Sequence, residues 1–156
     1  MPINKLKTFL NEYGVKYVSI QHSPAYTAAE VAESAHIPGL ELAKTVMVWI
    51  NDKMAMAVVP ASHRVDFEAL AQVAGAVEVQ LASEEDFKEL FPTCDTGAMP
   101  PFGNLYGMRI FVERVLTEDY EIAFTAGSHA EVIRLAYADY ERLVEPEIGS
   151  FSHAFP

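Results

Sequence analysis

Apolar residues recur at two different periods along the chain, and the change of period predicts helices and strands in mixed order. From Ile3 to Tyr13 the apolar residues follow helical spacing, and Gly14 stands where a helix cap belongs. Thr45 to Ile50 and Met54 to Val59 are β-prone runs on either side of Asn51-Asp52-Lys53. This pattern predicts an amino-terminal helix and, further along the chain, a β-hairpin.

Capping residues predict three more helices. Thr27-Ala28-Ala29-Glu30 has the form of a capping box, and Ile37-Pro38-Gly39 is expected to end the helix that it begins. Asp66 is predicted to cap a third helix that Gly75 ends, and Ser83-Glu84-Glu85-Asp86 to open a short fourth one. The other predicted elements are strands at Lys16 to Ile20, Met108 to Val112, Ile122 to Thr125 and Val132 to Leu135, and a last helical turn or two at Ala138 to Leu143.

The order of these elements favours one fold class. Adjacent strands joined by short turns favour an antiparallel or mixed sheet over a doubly wound parallel sheet. We find no internal repeat, no low-complexity segment and no linker that would separate two domains. We therefore expect residues 1–156 to form a single compact α+β domain, with a mixed, mostly antiparallel, barrel-like sheet and flanking helices.

Composition and charge narrow the class of protein. The 156 residues carry a formal net charge of −11, and the eleven lysines and arginines form no run. Such a charge repels phosphate backbones, which argues against non-specific nucleic-acid binding and against DNA as a partner. No apolar stretch approaches the roughly 20 residues of a membrane span, and the amino terminus lacks the apolar region of a signal peptide. We expect a cytoplasmic protein with no membrane partner.

The segment Cys94-Asp-Thr-Gly-Ala-Met-Pro-Pro-Phe-Gly103 is the most unusual in composition. Prolines fix the backbone and glycines allow a ligand to approach it, so such a loop can hold main-chain N–H groups toward a substrate. The same composition also suits a stiff connector between two elements. Composition leaves both interpretations open.

Lys44 is a single cation at the start of an apolar strand. It either extends along a sheet edge to reach water or presents its charge inside a cleft, and the residues alone leave both open. A second glycine turn with polar side chains is predicted further along the chain, in the segment Phe124-Thr125-Ala126-Gly127-Ser128-His129. A cleft with one lysine, two glycine turns and one histidine suits an oxygen-rich ligand such as a phosphate or an ester.

Common catalytic motifs are absent from the sequence. The five histidines lack the spacing of a helical metal site, there is one cysteine, and no phosphate-binding glycine loop or serine elbow occurs. Cys94 with His129 as base remains a minor alternative as a nucleophile. These patterns predict no metal site.

Three motifs in order carry a resemblance. The motifs are, in order, Ala-Lys-Thr-Val-Met-Val, the Cys94–Gly103 segment and Ile-Ala-Phe-Thr-Ala-Gly-Ser-His. Together they resemble the YbaK/prolyl-tRNA synthetase editing-domain family, and the resemblance covers nearly the whole chain, to about Glu145. The resemblance implies an α+β domain, the size of a free-standing member, that hydrolyses the ester of a mischarged aminoacyl-tRNA. It implies no cofactor, and it places Lys44 and the Gly97–Pro101 loop at the catalytic centre.

The resemblance also implies a mechanism without a protein nucleophile. Water attacks the ester with help from the substrate's own groups, the N–H groups near Gly97 and Ala98 donate to the ester carbonyl, and Lys44 holds a phosphate or carbonyl oxygen. The implied substrate carries a small amino acid such as Ala, Cys, Ser or Thr. The implied substrate-binding residues are Thr45, Met99, Pro100, Pro101, Phe102, Gly127, Ser128 and His129.

Two questions of partnership stay open at this stage. The acceptor end of a mischarged tRNA is the expected partner, and the charge of −11 suggests that an aminoacyl-tRNA synthetase delivers it. The alternative from another class is a non-catalytic module that binds a tRNA end or a nucleotide, since the implied catalyst contributes so few side chains.

Overall fold

In the computed structural model, one long strand lies at the centre of an eight-stranded mixed sheet. The structure describes residues 2–22, 28–35, 37–91, 94–95 and 98–155. The helices are α1 (Pro2–Glu12), α2 (Ala28–Ser34), α3 (Phe67–Ala74), α4 (Glu84–Phe87) and α5 (Tyr137–Val144). The strands are β1 (Tyr17–Gln21), β2 (Leu42–Ile50), β3 (Lys53–Pro60), β4 (His63–Val65), β5 (Val79–Leu81), β6 (Arg109–Glu113), β7 (Glu121–Thr125), β8 (Glu131–Ala136), β9 (Glu147–Gly149) and β10 (Ser152–Ala154).

The strand order of the main sheet is β1-β8-β7-β2-β3-β6-β9, and β5 joins it by pairing with β2. The pairs β1–β8, β7–β8, β2–β3 and β2–β5 are antiparallel, whereas β2–β7, β3–β6 and β6–β9 are parallel. Strands β4 and β10 form a separate antiparallel pair. The predicted α+β class and the mixed sheet are confirmed, but the sheet does not close into a barrel in the part of the chain that is described.

The local signals that predicted the hairpin and the capped helices are confirmed. Strands β2 and β3 are joined at Asn51 and Asp52, and Asn51 adopts the left-handed region with φ 57°. The Asp66 side chain accepts a hydrogen bond from the N–H of Ala69, and Gly75 ends α3 with φ 66°. The predicted short fourth helix, α4, is present, and Ser83 and Asp86 form a capping box at its start. Thr27 lies outside the described residues, although the helix that it was predicted to cap is present.

The two faces of the sheet have separate cores. Alternate residues of β2, Ala43 and Met47, pack into a large cluster with the loop after Pro100 and with α1 and α5. Val48 and Ile50 pack on the opposite face, against α3 and Phe151. Leu42 packs on that same face against α2. Side chains of a strand alternate between faces, so β2 connects both cores.

The three-residue strands β4, β5, β9 and β10 were not predicted. In each case the pairing partner lies far away in sequence, or the run is too short to show a period. No helix in the described residues is long and apolar enough to cross a membrane.

Candidate functional site

The candidate site lies where β2 changes its neighbour in the sheet. Leu42 and Ala43 pair with β7, whereas Val48, Trp49 and Ile50 pair with β5. Residues 44–47 lie between these two ladders, just beyond the carboxyl end of β7. Strand β3 pairs with these residues on one side, and only the other side lacks a paired strand. Ligands commonly bind at such interruptions of a sheet.

Lys44 projects from this part of β2 toward the face that carries the β4–β10 pair. It stands opposite Val59 in the β2–β3 ladder, and its Nζ lies 4.9 Å from the centroid of the Phe155 ring. Burial lowers the pKa of Lys44 below its ordinary value. The structure therefore places this cation in a partly desolvated position, held in part by a cation–π contact.

Glu113 holds the carboxyl-terminal segment beside this lysine. The residue is 4% exposed, and its Oε1 accepts hydrogen bonds from the N–H of Phe151 (2.9 Å), the N–H of Ser152 (2.8 Å) and the Oγ of Ser152 (2.9 Å). Its Oε2 accepts from the N–H of Val115 at 3.1 Å. Burial acts to raise the pKa of Glu113, but these four donated bonds outweigh it and hold that pKa below its ordinary value.

His63 completes this polar side of the site. Its Nδ1 lies 2.8 Å from the Oγ of Ser152, which in turn donates to Glu113. The pKa of His63 lies below its ordinary value of 6.5, chiefly because of burial. The charge of Glu113 opposes that shift, and the charges of His153 and Lys44 add to it. His63 and Lys44 are therefore close enough to act on each other electrostatically.

His153 and Asp66 form an outer pair next to this network. The Nε2 of His153 lies 3.0 Å from the Oδ2 of Asp66, whose other oxygen caps α3. Hydrogen bonds to the Ala69 N–H and to His153 lower the pKa of Asp66, and this side chain lies near the surface. The pair links the β4–β10 sheet to α3.

The glycine-rich loop lies at the end of β7. The N–H of Asp95 donates to the carbonyl of Gly127, and the N–H of Gly127 donates to the carbonyl of Ala98, both at 2.8 Å. The Oδ2 of Asp95 also accepts from the N–H of His129 at 3.0 Å, and Ser128 Oγ accepts from the Ala130 N–H. The structure thus brings together the two predicted turns, and Asp95, which the sequence did not single out, connects them.

The main-chain donors of this loop are only partly described. The N–H of Ala98 donates to the carbonyl of Asp95 at 3.0 Å, so it is engaged inside the turn. Gly97, the other predicted donor, lies outside the described residues. Ala98 itself is fully buried.

The four residues after Ala98 are buried, and two of them, Met99 and Phe102, belong to the larger core. Phe102 is fully buried, with ring centroids 6.2 Å from Phe9, 5.4 Å from Phe124 and 5.3 Å from Tyr140. The Tyr140 hydroxyl donates to the carbonyl of Pro101 at 2.7 Å. In this structure Phe102, which was expected to contact substrate, therefore acts as an anchor of the loop. Met99 and Pro100 are buried as well.

Thr45 projects to the opposite side of β2 from Lys44. Strand alternation places it on the face shared by Ala43 and Met47, whose cluster also contains Met99 and Ala126. Its Oγ1 is buried and has no hydrogen-bond partner among the described residues. A buried hydroxyl without a partner costs about 1–3 kcal/mol, so this position favours a ligand that can bond to it.

Cys94 lacks the properties of a nucleophile. Burial, and after it the charge of Asp95, raises the pKa of the Cys94 thiol to about 11. Reactive cysteines instead have a lowered pKa, because the thiolate is the attacking species. The cysteine-hydrolase alternative therefore has no support in the geometry. Among the described residues, no group of three or more His, Cys, Asp or Glu side chains is arranged to hold a metal.

Comparison with known proteins connects this geometry to one family. A model of the aminoacyl-tRNA editing domain matches residues 22–143. The multifunctional Ser/Thr-tRNA deacylase ProXp-y of Escherichia coli (strain K12) is 27% identical over 152 residues, which cover 94% of this chain and 90% of that protein.

Solved structures share the fold at low sequence identity. A candidate trans-editing enzyme for prolyl tRNA synthetase superimposes with a TM-score of 0.82 at 17% identity, over 98% of both chains. The hypothetical protein APE2540 superimposes with a TM-score of 0.85 at 20% identity, over 96% of this chain and 99% of that one. The resemblance inferred from the three motifs is confirmed. The chain belongs to the aminoacyl-tRNA editing domain family and is a deacylase of that family.

Proposed function

We propose that this deacylase acts on tRNA charged with serine or threonine, and the Thr45 hydroxyl carries the proposal. That hydroxyl is buried and finds no hydrogen-bond partner within the part of the chain that the structure describes, on the face of β2 where Met99 and Ala126 pack. A substrate hydroxyl would satisfy it, whereas an alanyl side chain would leave it unpaired. The relative named as a Ser/Thr-tRNA deacylase supports the same substrate class.

Lys44 is proposed to hold the oxygen that carries negative charge during hydrolysis. Its ammonium group is partly desolvated, and a charge acts more strongly in such surroundings than in water. Either the terminal phosphate or the ester carbonyl oxygen of the aminoacyl-tRNA suits it. We assign main-chain donation to Gly97 first, because the Ala98 N–H already donates to Asp95 and would serve only if that turn opened.

Delivery of the tRNA by a synthetase is proposed from the charge distribution. Several cationic side chains form ion pairs with carboxylates, which reduces the positive charge available to a phosphate backbone. They are Lys7, Lys88, Arg109 and Arg142. Together with the net charge of −11, this predicts weak and salt-sensitive binding of free tRNA. A partner that supplies the cationic surface would lower the KM without changing kcat.

The test is a single-turnover deacylation assay on tRNAs charged with Ser, Thr, Ala and Cys. We expect the seryl and threonyl esters to be cleaved faster than the alanyl ester. Thr45→Val removes only the hydroxyl, and it should reduce the preference for Ser over Ala by about five- to tenfold, the worth of one net hydrogen bond. Thr8→Val, at an exposed position of α1, is the matched control.

Two outcomes would contradict the proposal in different ways. If Thr45→Val keeps the wild-type preference, or if alanyl ester is cleaved as fast as seryl ester, the assignment of Thr45 and of the substrate class is wrong. If the protein binds all four tRNAs and cleaves none of them, the site belongs to a binding module instead.

A further inference from the structure

The Phe155 side chain contacts the Lys44 ammonium and is at the same time open to solvent. The Nζ of Lys44 lies 4.9 Å from the ring centroid, which is the geometry of a cation over an aromatic face. The residue is nevertheless 53% exposed. Since one face of the ring covers the cation, the exposed part of the side chain is the opposite face and the rim.

The main chain holds this ring beside β2. In the β4–β10 pair, His153 stands opposite Arg64. The N–H of Phe155, two residues after His153, donates to the carbonyl of Ser62, two residues before Arg64, at 3.0 Å. This bond continues the register of the pair beyond β10. The position of the ring next to Lys44 is therefore set by a backbone ladder.

The same face of the β4–β10 pair carries a second cation. Directly opposed residues share a face, and so do residues two apart in a strand, which places Arg64, His153 and Phe155 together. Arg64 is exposed and forms no ion pair with any residue that the structure describes. His153 is paired with Asp66 at 3.0 Å and adds no free charge. Lys44 and Arg64 thus place two positive charges near an exposed ring, in a chain with a net charge of −11.

An exposed aromatic ring among cations matches the chemistry of a single-stranded nucleic acid. The cations attract phosphates, and the face of the ring stacks on a base of any sequence. A lipid surface or an acidic peptide would satisfy the charges but would offer the ring no planar partner. The acceptor end of a tRNA is single-stranded, and its last nucleotide, an adenosine, carries the ester. It therefore supplies a base and a phosphate within one nucleotide of the reacting atoms.

We propose that Phe155 is a substrate-binding residue of this deacylase, on which the base of the terminal adenosine stacks. Lys44 holds a phosphate or carbonyl oxygen of the same aminoacylated nucleotide. Residues 44–47 of β2 pair with β3 on one side only, so the aminoacyl group can pass over the open edge to Thr45 on the other face. This inference rests on the proposed roles of Lys44 and Thr45. It adds no group that takes part in the chemical step.

A binding cycle tests the contact without turnover. The probe is an RNA hairpin with the acceptor stem and its single-stranded 3′ end, made with either adenosine or an abasic ribose at the last position. Its affinity is measured by fluorescence anisotropy at low ionic strength, for the wild type and for Phe155→Leu, which stays apolar but has no planar face. One stacked base corresponds to about 5- to 150-fold in affinity, so either change alone should weaken binding at least about fivefold. Both changes together should weaken it no further than one alone, because they remove the same contact.

Single-turnover deacylation tests the same contact in the reaction. Phe155→Leu should raise the half-saturating concentration of aminoacyl-tRNA at least about fivefold and leave the maximal rate within about twofold. Phe155→Trp offers a larger planar face and should bind at least as tightly as the wild type. Tyr120→Leu is the matched control, since Tyr120 is an aromatic side chain with 87% exposure just before β7. It should leave both constants unchanged.

Three results would overturn the proposal. They are wild-type affinity of Phe155→Leu, an abasic end that weakens the wild type and Phe155→Leu by the same factor, and a lower maximal rate with an unchanged half-saturating concentration. In the last case Phe155 would act only through Lys44. If Phe155→Leu does not fold, the wild type and Phe155→Trp decide, and equal affinity for the adenosine and abasic ends refutes stacking. A wild type that shows the expected binding cycle but cleaves neither seryl nor threonyl ester would support stacking and refute the proposed function.

Discussion

The two faces of β2 at the candidate site are built by different kinds of interaction. On the Lys44 face, Glu113, Ser152 and His63 form a chain of hydrogen bonds, and the partly desolvated Lys44 ammonium contacts the Phe155 ring. On the Thr45 face, the loop after Ala98 is held by buried aromatic rings and by a few backbone hydrogen bonds. Polar groups with fixed directions set protonation and charge, whereas packed rings set the position of the backbone.

This difference predicts different consequences of substitution. Changes on the aromatic side should lower stability and shift substrate preference, because they move the loop as a unit. Changes at Lys44, His63 or Ser152 should alter the rate with less effect on stability, because these side chains are only partly buried. Glu113 is the exception on this side, since it is buried and bonded to four donors.

The largest effect is expected at the aromatic anchor. Phe102→Ala removes a fully buried ring with three aromatic neighbours and should lower the free energy of unfolding by about 3–5 kcal/mol. For a chain of this size the melting temperature should fall by roughly 10 °C. Met99→Leu, which keeps volume, should cost less than about 1.5 kcal/mol. Equal melting temperatures for Phe102→Ala and Met99→Leu would show that the ring does not anchor the loop.

Lys44→Ala should be the strongest change on the polar side. It removes a charge without opening the core, so we expect kcat/KM to fall by about 100- to 1,000-fold, equivalent to roughly 2.7–4 kcal/mol, with an unchanged melting temperature. Lys53→Ala, at the exposed start of β3, is the control and should leave the rate unchanged. Full turnover by folded Lys44→Ala would contradict the catalytic role, and loss of folding would make the lysine structural.

Cys94→Ala is expected to have the smallest effect. A thiol with a pKa of about 11 is protonated at neutral pH, so its removal should change the rate by less than about twofold. Deacylation kinetics of the purified variant, with thermal unfolding in parallel, test this. A rate loss of more than about tenfold in a folded variant would instead establish a nucleophilic cysteine.

Local sequence signals predicted the elements that local interactions stabilise. Three such signals are present in the structure, and each is determined by a few adjacent residues. They are the Asn51-Asp52-Lys53 hairpin signal, the helix N-cap at Asp66 and the helix C-cap at Gly75. The glycine-rich loop could be singled out for the same reason, since the Cys94–Gly103 run is contiguous in sequence. Its role in binding substrate stays a prediction.

The polar half of the site could not be predicted from one sequence. His63 and Ser152 lie in three-residue strands that pair only with each other, and neither strand is long enough to show a period. Glu113 ends β6 and gives no sign in the sequence that it is buried and bonded to four donors. The open sheet was missed as well, because closure depends on how the edge strands β1 and β9 lie in space.

The Ser152 contacts have a consequence for the order in which the protein folds. Ser152 bonds to residues 89 and 39 positions away in sequence, so two large loops must close before either bond can form. The β2–β3 hairpin, by contrast, closes around two residues. Because this loop-closure cost falls on the β4–β10 pair, we expect these bonds to form late, so that substitutions at His63 or Ser152 accelerate unfolding and leave the folding rate nearly unchanged. The polar network beside Lys44 would then form late in folding, after the central sheet is in place.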